Sequence, residues 1–170
     1  MPSAKIIFWA IASSLPILSA QAEKAPVIEE TMILAAAHPY DENEDAGAAI
    51  AAAQRAAQIQ GKKVLVTFGA NWCPDCRALG GALALSGVRK WVDAHYVLVE
   101  VDVGRFDKNL DLASRLGLDI KGNGIPETAV LAPSGAVLNA GDVMRLFDAS
   151  TMTPQSVVDV LAGWAQPKSS

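Results

Sequence analysis

Val64-Leu65-Val66-Thr67-Phe68-Gly69-Ala70-Asn71-Trp72-Cys73-Pro74-Asp75-Cys76 is the stretch on which the fold turns. Its first five residues are nearly all apolar and rich in β-branched side chains. They lie between Lys62-Lys63 and Gly69, the pattern of a strand buried on both faces and so of a parallel sheet. From Cys73 to about residue 84 the chain is compatible with a helix, which puts both cysteines where a buried strand passes into a helix. Upstream, residues 46–60 are Ala-rich with Gln and Arg as polar members, and Gly61 stands where a left-handed cap belongs. The acidic run from Asp41 to Asp45 precedes that helix at the positive end of its dipole. Ile50, Ala53 and Ala57 give it a thin apolar stripe for packing on a sheet, a structural role.

Downstream, residues 88–94 add a helical turn or two, and residues 96–103 form the next strand with Val97, Val99, Val101 and Val103 on one face. Strand, helix and strand make a βαβ unit with a right-handed crossover. A second helix over about 108–116 ends at Gly117, residues 119–124 read as a Gly-rich loop, and Ile125-Pro126 leads into a strand over 127–131. The tight turn Pro133-Ser134-Gly135 returns the chain as a short antiparallel partner over 136–139. Thr153 before Pro154 caps a last helix whose apolar face is Val157, Val158, Val160, Leu161 and Trp164. The sequence shows no internal repeat. The fold class is α/β.

The chain has 170 residues, 51% apolar and 19% charged, which excludes a disordered charged tail protein and leaves room for one domain. A net charge of -4 offers no basic footprint for phosphate backbones, so nucleic acid is not an expected partner. Residues 1–22 have the anatomy of an export signal: Lys5, the apolar run from Ile6 to Ala12, then Ala20-Gln21-Ala22 before a cut at Glu23. Export to a bacterial periplasm follows, with no stable membrane insertion after cleavage; the alternative is an uncleaved signal that anchors the protein. Residues 23–44, with Pro26 and Pro39, read as an irregular lead-in, and 45–166 as the domain, with its core over 64–164.

The chain's two cysteines are three residues apart. A bridge between them closes a tiny loop and stabilises far less than the ~2 to 4 kcal/mol of a structural disulfide. A helix N-terminus, with its free N–H groups and partial positive charge, favours thiolate at Cys73, and the thiolate is the species that attacks a disulfide. Cys73 is therefore the attacking sulfur and Cys76, one turn further in, the resolving one. The reactive group is the Cys73-Cys76 disulfide itself, with no other cofactor. Trp72 offers an apolar landing surface beside the sulfurs, with plain packing as the alternative, and Arg77 reads as a solvated helix residue.

At these residues the chain resembles the thioredoxin superfamily, over about 100 residues from Val64 to Trp164. Residues 68–76, with their WCPDC motif, look like those of exported bacterial thioredoxin-like proteins that carry an extra N-terminal helix. The resemblance implies a three-layer fold with a mixed central sheet between helices. It also implies a cis peptide at Pro126, leaving the Ile125 backbone free to pair with an extended substrate segment, so that Trp72, Pro74, Asp75, Ile125 and Pro126 support substrate binding. The implied activity is thiol-disulfide oxidoreduction on protein disulfides, with an upstream membrane electron donor to recharge the dithiol.

Two departures stand out. Many thioredoxins keep a buried Asp six residues before the first Cys, where this chain has Thr67, and they have Gly-Pro where it has Pro74-Asp75. Asp75 or Glu127 is then a candidate for proton transfer; the plainer readings are a first-turn helix acid for Asp75 and a strand-end charge in water for Glu127. A carboxylate at Asp75 competes for the helix-end potential and raises the Cys73 thiol pKa, which makes the couple more reducing.

Two other classes compete. Cys73 and Cys76 have the spacing of half a thiolate metal site for zinc or copper, but the further ligands would be the widely separated His38 and His95. The second is a non-catalytic module that binds clients through the apolar groove around Trp72 and Ile125-Pro126.

Overall fold

Strand β1 (Lys63–Gly69) runs through the centre of a three-stranded sheet, with β2 (Tyr96–Asp102) parallel on one side and β3 (Glu127–Leu131) antiparallel on the other. The computed structural model describes residues 25–166, and the expected export signal at 1–22 lies outside them. Every residue from Val64 to Gly69 is buried, which is why this run lacks polar alternation. Successive β1 side chains still part to two faces: Val64, Val66 and Phe68 enter one core and Leu65 the other. The register sets Thr67 beside Glu100 and Thr128, and Gly69 beside Asp102.

Helices α1 (Ala46–Gln60), α2 (Pro74–Ala84), α3 (Ser86–His95), α4 (Leu110–Arg115), α5 (Ile120–Asn123) and α6 (Pro154–Ala165) complete the layers. Ile50, Ala53 and Ala57 of α1 and Ala113 of α4 pack with Val99, Val101, Ala129 and Leu131 on the first face. On the second face Leu79 and Leu83 of α2, Val88 and Val92 of α3, and Val158 and Leu161 of α6 close over Leu65 and Val130. Local chemistry sets the ends. Asp45 accepts from Ala48 N at 2.9 Å to cap α1, and Gly61, at φ 67, donates its N–H to Ala57 O. Thr153 and Ser156 form a reciprocal capping box at α6.

Two segments differ from their sequence reading. Residues 119–124, expected as loop, wind one helical turn as α5, because the Asp119 carboxylate accepts from Gly122 N at 3.0 Å and Gly124, at φ 91, ends it. Residues 136–139, expected as a strand, pair with β3 through an isolated bridge at Val137. The Asn139 side chain takes over the ladder there, accepting from Val130 N at 2.8 Å and donating to Thr128 O at 2.9 Å.

The lead-in is irregular, as its composition suggests, but it is fixed to the domain. Ala36 exchanges two 2.8 Å hydrogen bonds with Arg77, through the backbone of both residues and through Arg77 Nε. Ile28 N donates to Gln155 Oε1 at 2.8 Å. Arg77 is thus a clamp on this segment, which corrects its reading as a solvated helix residue. The segment crosses α2 at Gly80 and Gly81, where a Cβ would strike the Pro39 ring and the Leu34 carbonyl. Glycines inside a helix cost about 1 kcal/mol each against alanine, and this crossing is the physical reason for two in a row.

Candidate active site

The chain reaches the dithiol as β1 ends and α2 begins. Cys73 is the N-cap of α2, in extended backbone, and Pro74 takes the first helical position, where a missing N–H costs nothing. The Cys76 backbone N–H points at Cys73 Sγ from 3.1 Å. A charge at Cys73 is therefore met by a backbone donor and by the positive end of α2. Cys73 and Cys76 are joined as a disulfide with Cα atoms 5.2 Å apart. Both are buried, Cys76 fully and Cys73 with 4% exposure, so Cys73 is the less enclosed of the two.

Around them stand residues from three parts of the chain. Cys73 Sγ lies 3.7 Å from the Ile125 carbonyl oxygen, and the Ile125-Pro126 peptide is cis. Trp72 is 42% exposed. Its indole N–H donates to Gly104 O at 2.7 Å, Phe106 meets its ring edge-on at 5.6 Å and Arg105 lies 5.4 Å from its centroid. Trp72 is thus a propped apolar wall beside the sulfurs rather than a core residue. An open cleft of about 510 Å3 runs along it, lined in part by His38, Glu42, Asp102, Arg105 and Lys108. Neither this cleft nor one of similar size between Lys63, Arg145 and Trp164 is lined by a cysteine, but the first includes Trp72, next to Cys73.

The two candidate carboxylates occupy different surroundings. Asp75 Oδ1 accepts from Ser150 N at 2.9 Å and from Ser150 Oγ at 2.5 Å, tying α2 to the 3-10 turn Ala149–Thr151. Glu127 is buried. Its Oε1 accepts from Asn123 Nδ2 at 2.7 Å, while Oε2 has no hydrogen-bond partner. Burial pushes this carboxyl above its ordinary pKa and the nearby Asp119 charge adds to the effect, while the Asn123 bond opposes it. Glu127 does open β3, but the reading of it as a charge in water is corrected: all five residues of the strand, Glu127 included, are buried.

Thr67, at the position of the missing acid, is buried, with its side chain facing the Tyr40 phenol. His38 is exposed, and His95 bonds Trp91 O through Nδ1 at 2.8 Å while stacking on the Trp91 ring. Among the described residues no group of three or more His, Cys, Asp and Glu side chains converges as metal ligands would. Sequence reasoning missed Tyr40. It is 3% exposed and its ring lies against Gly69 beside the dithiol. A lone aromatic in an irregular acidic segment gave no periodic signal that could have placed it there.

A family profile described as thioredoxin-like matches residues 45–133, a span that includes both cysteines and Ile125-Pro126. Among solved structures, one described as the disulphide isomerase from Xylella fastidiosa Temecula1 is 36% identical, with a TM-score of 0.70, and the match covers 74% of this chain and 95% of that one. No curated protein matches the chain. With that profile spanning more than half of the chain and the dithiol at the head of α2, this chain belongs to the thioredoxin-like family.

Proposed function

We propose that the protein is a thiol-disulfide oxidoreductase that reduces or exchanges disulfides of other exported proteins. The observation that carries this reading is the sulfur pair itself, with Cys73 as N-cap of α2 and the Cys76 N–H 3.1 Å from its sulfur. The Cys73 thiolate attacks one sulfur of a client disulfide, and the other client sulfur leaves with the bonding pair. Cys76 then attacks Cys73 Sγ of the mixed disulfide, so that the Cys73-Cys76 bond forms and the second client sulfur departs reduced. Trp72, Pro74, Ile125 and Pro126 are the surface on which an extended client segment would lie. The name of the Xylella fastidiosa protein supports disulfide exchange as the chemistry. A reductant in an oxidising compartment must itself be recharged, and the proposed source is an upstream membrane electron donor; no helix among the described residues is long and apolar enough to cross a membrane.

Turnover of a protein disulfide substrate with a dithiol as electron source tests the proposal. Cys73→Ser is expected to fall to the uncatalysed rate, and Cys76→Ser to accumulate mixed disulfides that a reductant releases. A Cys73→Ser protein that keeps its full effect on clients would instead mean binding without redox chemistry.

A further inference from the structure

Cys76 has no exposure to water. When the disulfide opens, charge on its sulfur must be met by a protein group or form only at a high cost. The end of β1 holds such a group. A Cβ placed on Gly69 would overlap Tyr40 Oη and Cζ and would stand 3.0 Å from Cys76 Sγ. The phenol therefore occupies the space that a side chain at 69 would fill, and the resolving sulfur borders that space. Asn71 fixes Tyr40 there, accepting from its N–H at 3.1 Å and donating to its carbonyl at 2.9 Å. The residue that places the phenol thus belongs to the loop that carries the dithiol.

The polar groups facing the phenol are Thr67 on β1 and the carboxylates Glu100 and Asp102 on β2. Lys108 lies 3.3 Å from Asp102 Oδ2. Burial and the two carboxylates push the Tyr40 pKa up, which the Thr67 hydroxyl only partly opposes. The phenol keeps its proton across the working range and stays a donor.

We infer that Tyr40 is a positioning residue for the resolving step: its hydroxyl donates a hydrogen bond to Cys76 Sγ once that sulfur is released, favouring the thiolate that attacks the mixed disulfide. This deepens the reading above and rests on it. In that step the Cys76-Cys73 bond forms, the bond from Cys73 to the client sulfur breaks, and the electron pair leaves with the client. The proton given up by Cys76 is matched by the one the client thiolate takes from solvent, and Tyr40 retains its own.

Tyr40→Phe keeps the ring and removes only the donor. In a Cys73→Ser background, NMR titration of isotope-labelled Cys76 is expected to show its pKa rise by about one unit, or roughly tenfold less thiolate at a fixed pH below it. A pKa that is unchanged or lower overturns the inference. The titration needs no client, so a wild type that fails to turn over substrate would sink the proposed function while Tyr40 is still decided. Global fluorotyrosine labelling supplies a second measurement without altering the fold. The chain has two tyrosines, and the Tyr96 hydroxyl is committed to Leu161 O at 2.7 Å. The fluorinated phenol is a stronger donor and is expected to lower the Cys76 pKa; no shift, or a rise, overturns the inference. Glu100→Gln serves as the control, because a Tyr40→Phe effect that vanishes with it belongs to the carboxylate and overturns the inference too.

Discussion

Asp75 stands one residue before Cys76 and spends its hydrogen bonds on Ser150 rather than on either sulfur. Its charge still sits in the first turn of α2, where it competes with a Cys73 thiolate for the same potential. Asp75→Asn is expected to make the couple more oxidising, by about 30 mV if the Cys73 pKa falls by one unit. Equilibration with glutathione measures this, and a potential that stays put or turns more reducing contradicts it. At this scale the cysteines were legible because their meaning lies in a spacing of three and in the strand that precedes them. The places of Arg77 and Tyr40 and the burial of Glu127, itself a proton-transfer candidate from sequence, were not, since each depends on a partner at least four residues and as many as 41 away. A burial state set by distant chain leaves no mark on its neighbours in sequence.

Between α2 and the lead-in, glycine does what no helix propensity scale would advise. Gly81→Ala is expected to destabilise the protein by about 1 to 3 kcal/mol despite alanine's better propensity, because the new methyl meets the Leu34 carbonyl. Gly163→Ala in α6 opens onto free space and is expected to stabilise it by about 0.5 to 1 kcal/mol. Denaturant midpoints of the two variants check the contrast, and a neutral Gly81→Ala would mean that the crossing is absent. On β2, burial raises the Glu100 pKa from 4.5 to about 7, with the Glu44 charge adding to it and Arg89 opposing. Between those two values the unfolded chain ionises while the folded one does not, so the residue destabilises increasingly as pH rises. Glu100→Gln is expected to be the more stable by about 2 kcal/mol above neutral pH, with the difference fading below pH 4.5. Unfolding titrations across that window read it directly. Helices and strands with strong periodicity or caps were readable in advance. The α5 turn and the bridge at Val137 were not, because single side chains, Asp119 and Asn139, decide them.

For the whole molecule, three layers followed from the order of elements, since a strand buried on both faces needs cover above and below. What the order of elements did not reveal is that the lead-in is part of the fold. A chain beginning at Asp45 would lose the buried Ile28 and Tyr40, and with them about 3 to 6 kcal/mol of apolar burial. It is expected to remain folded around the sheet with a lower unfolding midpoint and faster alkylation of reduced Cys76. Equal stability and equal alkylation rates would show that the segment is a passenger. The gap at Gly69, filled by a phenol from 29 residues upstream, also limits what can be transplanted. Grafting Trp72 to Cys76 onto another scaffold would carry over two sulfurs and a helix end but leave their floor behind, so the transferred motif should not inherit this protein's redox behaviour.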